Sequence, residues 1–187
     1  MRLFVAIAPP AAALTELTVV VDPLRLRAPH LRWTSREAWH LTLAFLGEVD
    51  EARVPELSIR LGRAAGRHPP QRLAIAGGGA FPSATRARVV WAGFSADDQA
   101  LGALAASVAA GARRAGAPPP DEGRKYRPHL TLARCKAPAN VSSLTQELAG
   151  FGGTPWVADS IHLIRSKLSP GPPTYEDLGS WPLSPAR

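Results

Sequence analysis

The pentapeptide His40-Leu41-Thr42-Leu43-Ala44 returns unchanged as His129-Leu130-Thr131-Leu132-Ala133. Leucine and alanine are common in this chain, but histidine occurs only five times, so a repeat built on histidine points to an internal duplication. In a strand successive side chains alternate faces, so Leu41 and Leu43, like Leu130 and Leu132, turn toward a core. Each His/Thr pair then shares the opposite face, about 6.6 Å apart along the strand. If the two halves are related by a pseudo-twofold axis, two imidazoles and two hydroxyls converge on one cleft.

Outward from the two copies, apolar or alternating runs predict strands over Leu3–Ala8, His40–Leu46, Arg72–Ala76, Ala87–Phe94, His129–Arg134, Val157–Arg165 and Thr174–Leu178. Helical spacing predicts four helices. One follows Pro9-Pro10 with Leu14, Leu17 and Val21; one spans Glu51–Ala65 and stops at Gly66. A third spans Asp97–Ala115, with acids at its start and Arg113-Arg114 at its end, as the helix dipole favours. The last runs from Asn140, as cap, to Gly150. The string is strand-helix-strand-helix-strand, repeated, with an extra terminal strand and a boundary near Gly77–Thr85. Gly77-Gly78-Gly79 lacks the following helix of a phosphate-binding glycine loop and reads as a turn. Ala117–Pro128 reads as a loop.

Composition narrows the class. Proline (19) and glycine (16) make up about a fifth of the 187 residues, below the roughly 25–30% of low-complexity chains. With 45% hydrophobic residues, the chain has enough apolar material for a core. The formal charge is +7, and only three of the 22 cations are lysines: Lys125, Lys136 and Lys167. Arginine pairs with two phosphate oxygens at once, which favours a phosphate or nucleic-acid partner; a GC-rich genome produces the same bias. No apolar run reaches the roughly 18–20 residues that span a bilayer, and the start, Met1–Ala8, reads as a buried strand rather than a signal peptide. The single cysteine, Cys135, cannot form an internal disulfide, which fits a reducing cytosol, and it reads as a small core residue.

Two imidazoles facing each other across a phosphodiester suit in-line displacement. With an unperturbed pKa near 6.5, one serves as base while the other, protonated, serves as acid. The threonine hydroxyls hydrogen-bond the non-bridging oxygens as charge builds on phosphorus. Zinc is the main rival for the histidines, but the nearest acids (Glu37 and Glu48, or Asp121 and Glu122) make no recognised ligand spacing. No Gly-x-Ser-x-Gly turn supports a serine hydrolase. The expectation is therefore an enzyme whose chemistry requires no metal.

The two segments His40-Leu41-Thr42-Leu43 and His129-Leu130-Thr131-Leu132 resemble the His-x-Thr-x motifs of the two-histidine (2H) phosphoesterase superfamily. Their flanks, Trp39–Val49 and Tyr126–Arg134, together with Arg2–Ile7 and the run Leu163–Leu168, Gly171 and Tyr175-Glu176, are similar to its RNA 2′,3′-cyclic phosphodiesterases, also called 2′-5′ RNA ligases. The resemblance implies an α/β (α+β) fold: two lobes of duplicated β-α-β-α-β units, with mostly antiparallel sheets around a central cleft, in a single domain over residues 1–187. It implies hydrolysis of RNA 2′,3′-cyclic phosphate ends to 2′-phosphomonoesters without metal or nucleotide cofactor. His40 would be the proton donor and His129 the acceptor that activates water, with Thr42, Thr131 and Arg134 on the phosphate. The alternatives are 2′-5′ ligation, hydrolysis of small cyclic-phosphate nucleotides, and a non-catalytic RNA- or nucleotide-binding module. The chain is expected to act as a cytoplasmic monomer on RNA ends.

Arg134 lies five residues beyond His129, so an uninterrupted strand would point it away from the cleft unless the strand ends or bulges. Arg127 has the right parity, but Pro128 interrupts the ladder. His30 and His68 sit in proline-rich loops and read as exposed. His162 alternates with Ile161 and Leu163 and has either cleft or solvent open to it. The five tryptophans read mostly as core; Phe4, Phe45, Tyr126 and Tyr175 are further candidates to stack on a terminal base. Arg124-Lys125 either tracks RNA phosphates or is a solvated loop.

Overall fold

The computed structural model describes every residue except 121–122, 169 and 185–187; Asp121 and Glu122 thus lie outside the described residues. Among the described residues, nine strands form two antiparallel sheets. β1 (Arg2–Ile7), β3 (Leu41–Glu48), β8 (Ser160–Lys167) and β9 (Thr174–Pro182) make a four-stranded sheet in the order β3-β1-β8-β9. β2 (Arg32–Trp33), β4 (Gln71–Phe81), β5 (Ala87–Ser95), β6 (Leu130–Ala139) and β7 (Trp156–Ala158) make the other, in the order β2-β6-β5-β4-β7.

Four α-helices among the described residues cover these sheets with their buried residues. α2 (Val54–Ala65) and α3 (Asp98–Arg114) bury Leu57, Leu61, Leu101, Leu104 and Val108 against Leu3, Val5, Leu41, Leu43 and Leu163 of the four-stranded sheet. α1 (Ala11–Arg27) and α4 (Ser142–Ala149) bury Leu17, Val21, Leu24, Leu144 and Leu148 against Val90, Leu130 and Leu132 of the other. Asp97 caps α3, its carboxylate accepting from the Ala100 N–H at 3.0 Å. At α4 the Asn140 side chain accepts from the Ser142 N–H at 3.1 Å.

The duplication is present in the topology, and each of the two lobes is built from strands of both halves. Exchanging β1, β3, β8 and β9 for β5, β6, β4 and β7 converts the four-strand order into that of the other sheet without its edge strand β2. Each half gives its first two long strands to one sheet and its last to the other. The boundary expected near Gly77–Thr85 is therefore a hairpin between β4 and β5 inside one sheet. Gly77–Gly79 is strand rather than turn. A β-carbon on Gly78 would lie 2.6 Å from Leu148 Cβ, and one on Gly79 2.5 Å from Trp91 Cζ2. The glycines make room for side chains that are remote in sequence. The single strand expected over Val157–Arg165 divides at Asp159 into β7 and β8, which belong to different sheets.

Candidate active site

Both motifs carry the same irregularity. Along β1 the partners step from Val5↔Ala44 to Ala6↔Thr42, skipping Leu43; along β5 they step from Val90↔Ala133 to Trp91↔Thr131, skipping Leu132. A β-bulge thus sits at the second leucine of each pentapeptide, and it shifts side-chain parity by one. Residues paired across a ladder share a face, so Arg134 (opposite Val89) and Thr131 (opposite Trp91) lie on the same face. The corresponding bulge puts Phe45, opposite Phe4, on the face of Thr42. The strands begin at Leu41 and Leu130, so His40 and His129 stand immediately before them rather than inside them.

His40 is held between aromatic rings, edge-on to Phe4 at 5.7 Å and to Tyr175 at 5.5 Å. Its Nδ1 is buried without a hydrogen-bond partner among the described residues. Burial holds its pKa below the ordinary imidazole value; the Ala38 carbonyl opposes this, His162 adds to it, and Asp177 opposes it. His162 pairs across β1 with Ala6, which also faces Thr42, so Thr42, Ala6 and His162 form one row. The His162 Nδ1 lies 2.7 Å from the Asp177 carboxylate. His162 therefore belongs to the face that carries Thr42.

His129 Nδ1 lies 2.7 Å from the Arg127 carbonyl, which can only accept, so the ring donates from Nδ1 and the lone pair of the neutral ring is on Nε2. Phe81 stands perpendicular to the imidazole at 5.0 Å, Trp91 packs on Phe81 at 5.2 Å, and the Arg127 guanidinium lies 5.9 Å from the centre of the Phe81 ring. Burial lowers the His129 pKa; the Arg127 carbonyl opposes this and the Arg134 charge reinforces it.

Arg134, exposed on β6, also acts on Tyr175 beside His40: its charge opposes the burial that raises the Tyr175 pKa. The Arg134 charge thus acts both on His129 and on the aromatic neighbour of His40. Thr42 and Thr131 are half-buried. Arg127 is exposed and reaches His129 through its carbonyl and through Phe81. Among the described residues, no group of three or more His, Cys, Asp or Glu side chains gathers as a metal-binding cluster.

His30 is exposed, whereas His68 is half-buried, its Nε2 2.7 Å from the Ser107 hydroxyl. Sequence reasoning missed Phe81, hidden behind three glycines, and the His162–Asp177 pair, whose members lie on adjacent strands. Hydropathy gave no sign of either. No helix among the described residues is long and apolar enough to cross a membrane.

A family profile described as LigT like Phosphoesterase matches residues 7–91 and 95–174. An RNA 2′,3′-cyclic phosphodiesterase of Thermus thermophilus is 33% identical over 190 residues, spanning 98% of this chain and 90% of that protein. One from Aeropyrum pernix is 36% identical over 146 residues, spanning 76% and 80%. Among solved structures, E. coli LigT complexed with 3′-AMP superposes with a TM-score of 0.77 at 28% identity, over 98% of both chains.

Proposed function

This chain belongs to the LigT-like phosphoesterase family, and on that footing we propose that it hydrolyses RNA 2′,3′-cyclic phosphate ends to 2′-phosphomonoesters, using His40 and His129 as acid and base and no metal. The observation that carries this reading is the duplicated His-x-Thr segment with its duplicated bulge, which aims Thr42 and Thr131 from two sheets. In the neutral ring, donation from His129 Nδ1 to a carbonyl leaves Nε2 as the basic atom. It takes a proton from water as the water oxygen bonds to phosphorus; the bond to O3′ breaks, and O3′ takes the proton of His40. Thr42 and Thr131 hydrogen-bond the non-bridging oxygens, and Arg134 offsets their growing charge.

One domain, residues 1–187, carries this site between its two sheets, and the enzyme works as a cytoplasmic monomer. The test is a short RNA ending in a 2′,3′-cyclic phosphate, incubated with the protein in EDTA, with the product identified by mass and by phosphatase mapping. A 2′-phosphate is expected. A 3′-phosphate would reverse the leaving group, loss of activity in EDTA would demand a metal, and no hydrolysis in any condition would overturn the reading.

A further inference from the structure

Each motif is preceded by a segment that reaches into the opposite lobe. Trp39, next to His40, is buried in the core of the five-stranded sheet, although β3 belongs to the four-stranded one. Tyr126, three residues before His129, packs against the core of the four-stranded sheet, although β6 belongs to the other. Their polar atoms complete the exchange. The Trp39 indole N–H donates to the Thr34 hydroxyl at 3.0 Å, and that hydroxyl lies 2.8 Å from the Thr131 carbonyl and 2.9 Å from the Leu132 carbonyl. The Thr34 N–H also donates to Leu132 at 2.8 Å. In the other direction, the Tyr126 hydroxyl donates to the Thr42 carbonyl at 3.0 Å. Burial raises the Tyr126 pKa, so this donor keeps its proton throughout the working range.

Both hydroxyls land on a bulge. Leu132 is the bulged residue of one motif and Thr131 precedes it, while Thr42 precedes the bulged Leu43 of the other. A bulge interrupts the regular ladder, and side-chain hydroxyls bond the carbonyls around it: Thr34 from the end of β2, which pairs with β6, and Tyr126 from the segment before β6. In each case the partner is a hydroxyl from the lead-in of the other motif.

We propose that Thr34 and Tyr126 are positioning residues: a reciprocal clasp in which each His-x-Thr segment holds the other's bulge, setting the separation of the two imidazoles and the aim of the two threonines. The proposal rests on the reading that both motifs serve one phosphate. Neither hydroxyl is assigned to the substrate; each acts through the backbone that carries a reacting side chain.

The test uses the full chain with Thr34→Val, which keeps the shape and removes the hydroxyl, and Tyr126→Phe, which removes one oxygen. Each is expected to lower kcat about tenfold to a hundredfold with KM changed less than about threefold, the pattern of misplaced catalytic groups. Thr34→Ser, which restores the hydroxyl, recovers most of the loss. Thermal melts check folding, and if one variant fails to fold the other carries the test. Independently of turnover, inorganic phosphate is titrated against the His40 and His129 ring-proton NMR signals. In the wild type both signals move with one dissociation constant, which weakens about fivefold or more in either variant. A kcat within twofold of wild type in both variants, or a phosphate constant unchanged by both, overturns the clasp. Signals that saturate separately, or stay still, also overturn it. A wild type that binds phosphate at both rings without cleaving the cyclic phosphate defeats the proposed reaction and leaves the clasp to be judged on the titration.

Discussion

Gly79→Ala tests whether packing far from the reacting atoms sets the position of His129. Gly79 pairs with Trp91 across β4 and β5, and an added β-carbon would lie 2.5 Å from Cζ2, 2.9 Å from Cη2 and 3.1 Å from Cε2 of that indole. Carbon atoms rest about 3.5–4.0 Å apart, so the ring must retreat by about 1 Å. Phe81 packs on Trp91 at 5.2 Å and on the His129 ring at 5.0 Å, so the push passes along this aromatic row. Overpacking of this kind costs about 1–3 kcal/mol. At about 2–4 °C per kcal/mol for a chain of this size, Tm falls by roughly 2–12 °C, leaving the protein folded at 25 °C. A displacement of His129 approaching 1 Å costs up to about a hundredfold in kcat. Calorimetry and steady-state hydrolysis of the cyclic-phosphate RNA measure the two effects, and adding Trp91→Phe to the variant relieves the contact and recovers part of each. A Gly79→Ala protein with Tm within about 1 °C of wild type and unchanged kcat would refute the argument, since the methyl group would then have found space without moving the ring.

Other perturbations separate chemistry from scaffold. His40→Ala and His129→Ala are each expected to lower kcat by about 10²–10⁴-fold. Because burial depresses both imidazoles, kcat/KM should follow a bell centred below about pH 6.5, and a bell centred well above that value would contradict their environments. The same depression has a sign for stability: as pH falls below about 6.5 the unfolded chain takes up protons before the folded one, so stability declines, and either alanine variant shows a shallower decline in denaturant melts. Asp177→Asn keeps an oxygen to accept from the Gly179 N–H but removes the charge that favours protonated His40, so the pH profile moves toward lower pH. Gly102→Ala, in α3 with nothing within 4 Å of the new methyl, is expected to raise stability by about 0.5–1 kcal/mol and leave hydrolysis unchanged.

The two His/Thr pairs, the leucines that anchor them and the four helices were legible in the chain because their signals are local. A period of two or of 3.6 needs only neighbouring residues, and an identical pentapeptide marks a duplication without any knowledge of the fold. Arg134 marks where local reading stops. Strand parity turns it away from Thr131, and it shares that face because β5 and β6 slip by one residue at Leu132. The slip is a property of the pairing between two strands, and neither strand alone displays it.

The same reason covers the exchange of the last strand of each half, the strand character of Gly77–Gly79, Phe81 against His129, and the His162–Asp177 pair. Each depends on residues brought together from distant parts of the chain. Sequence by itself marked the candidate groups, the two His/Thr pairs. Tertiary structure decided their aim, because each bulge exists only once β1 pairs with β3 or β5 with β6, and the hydroxyl that meets it comes from the segment leading into the other motif.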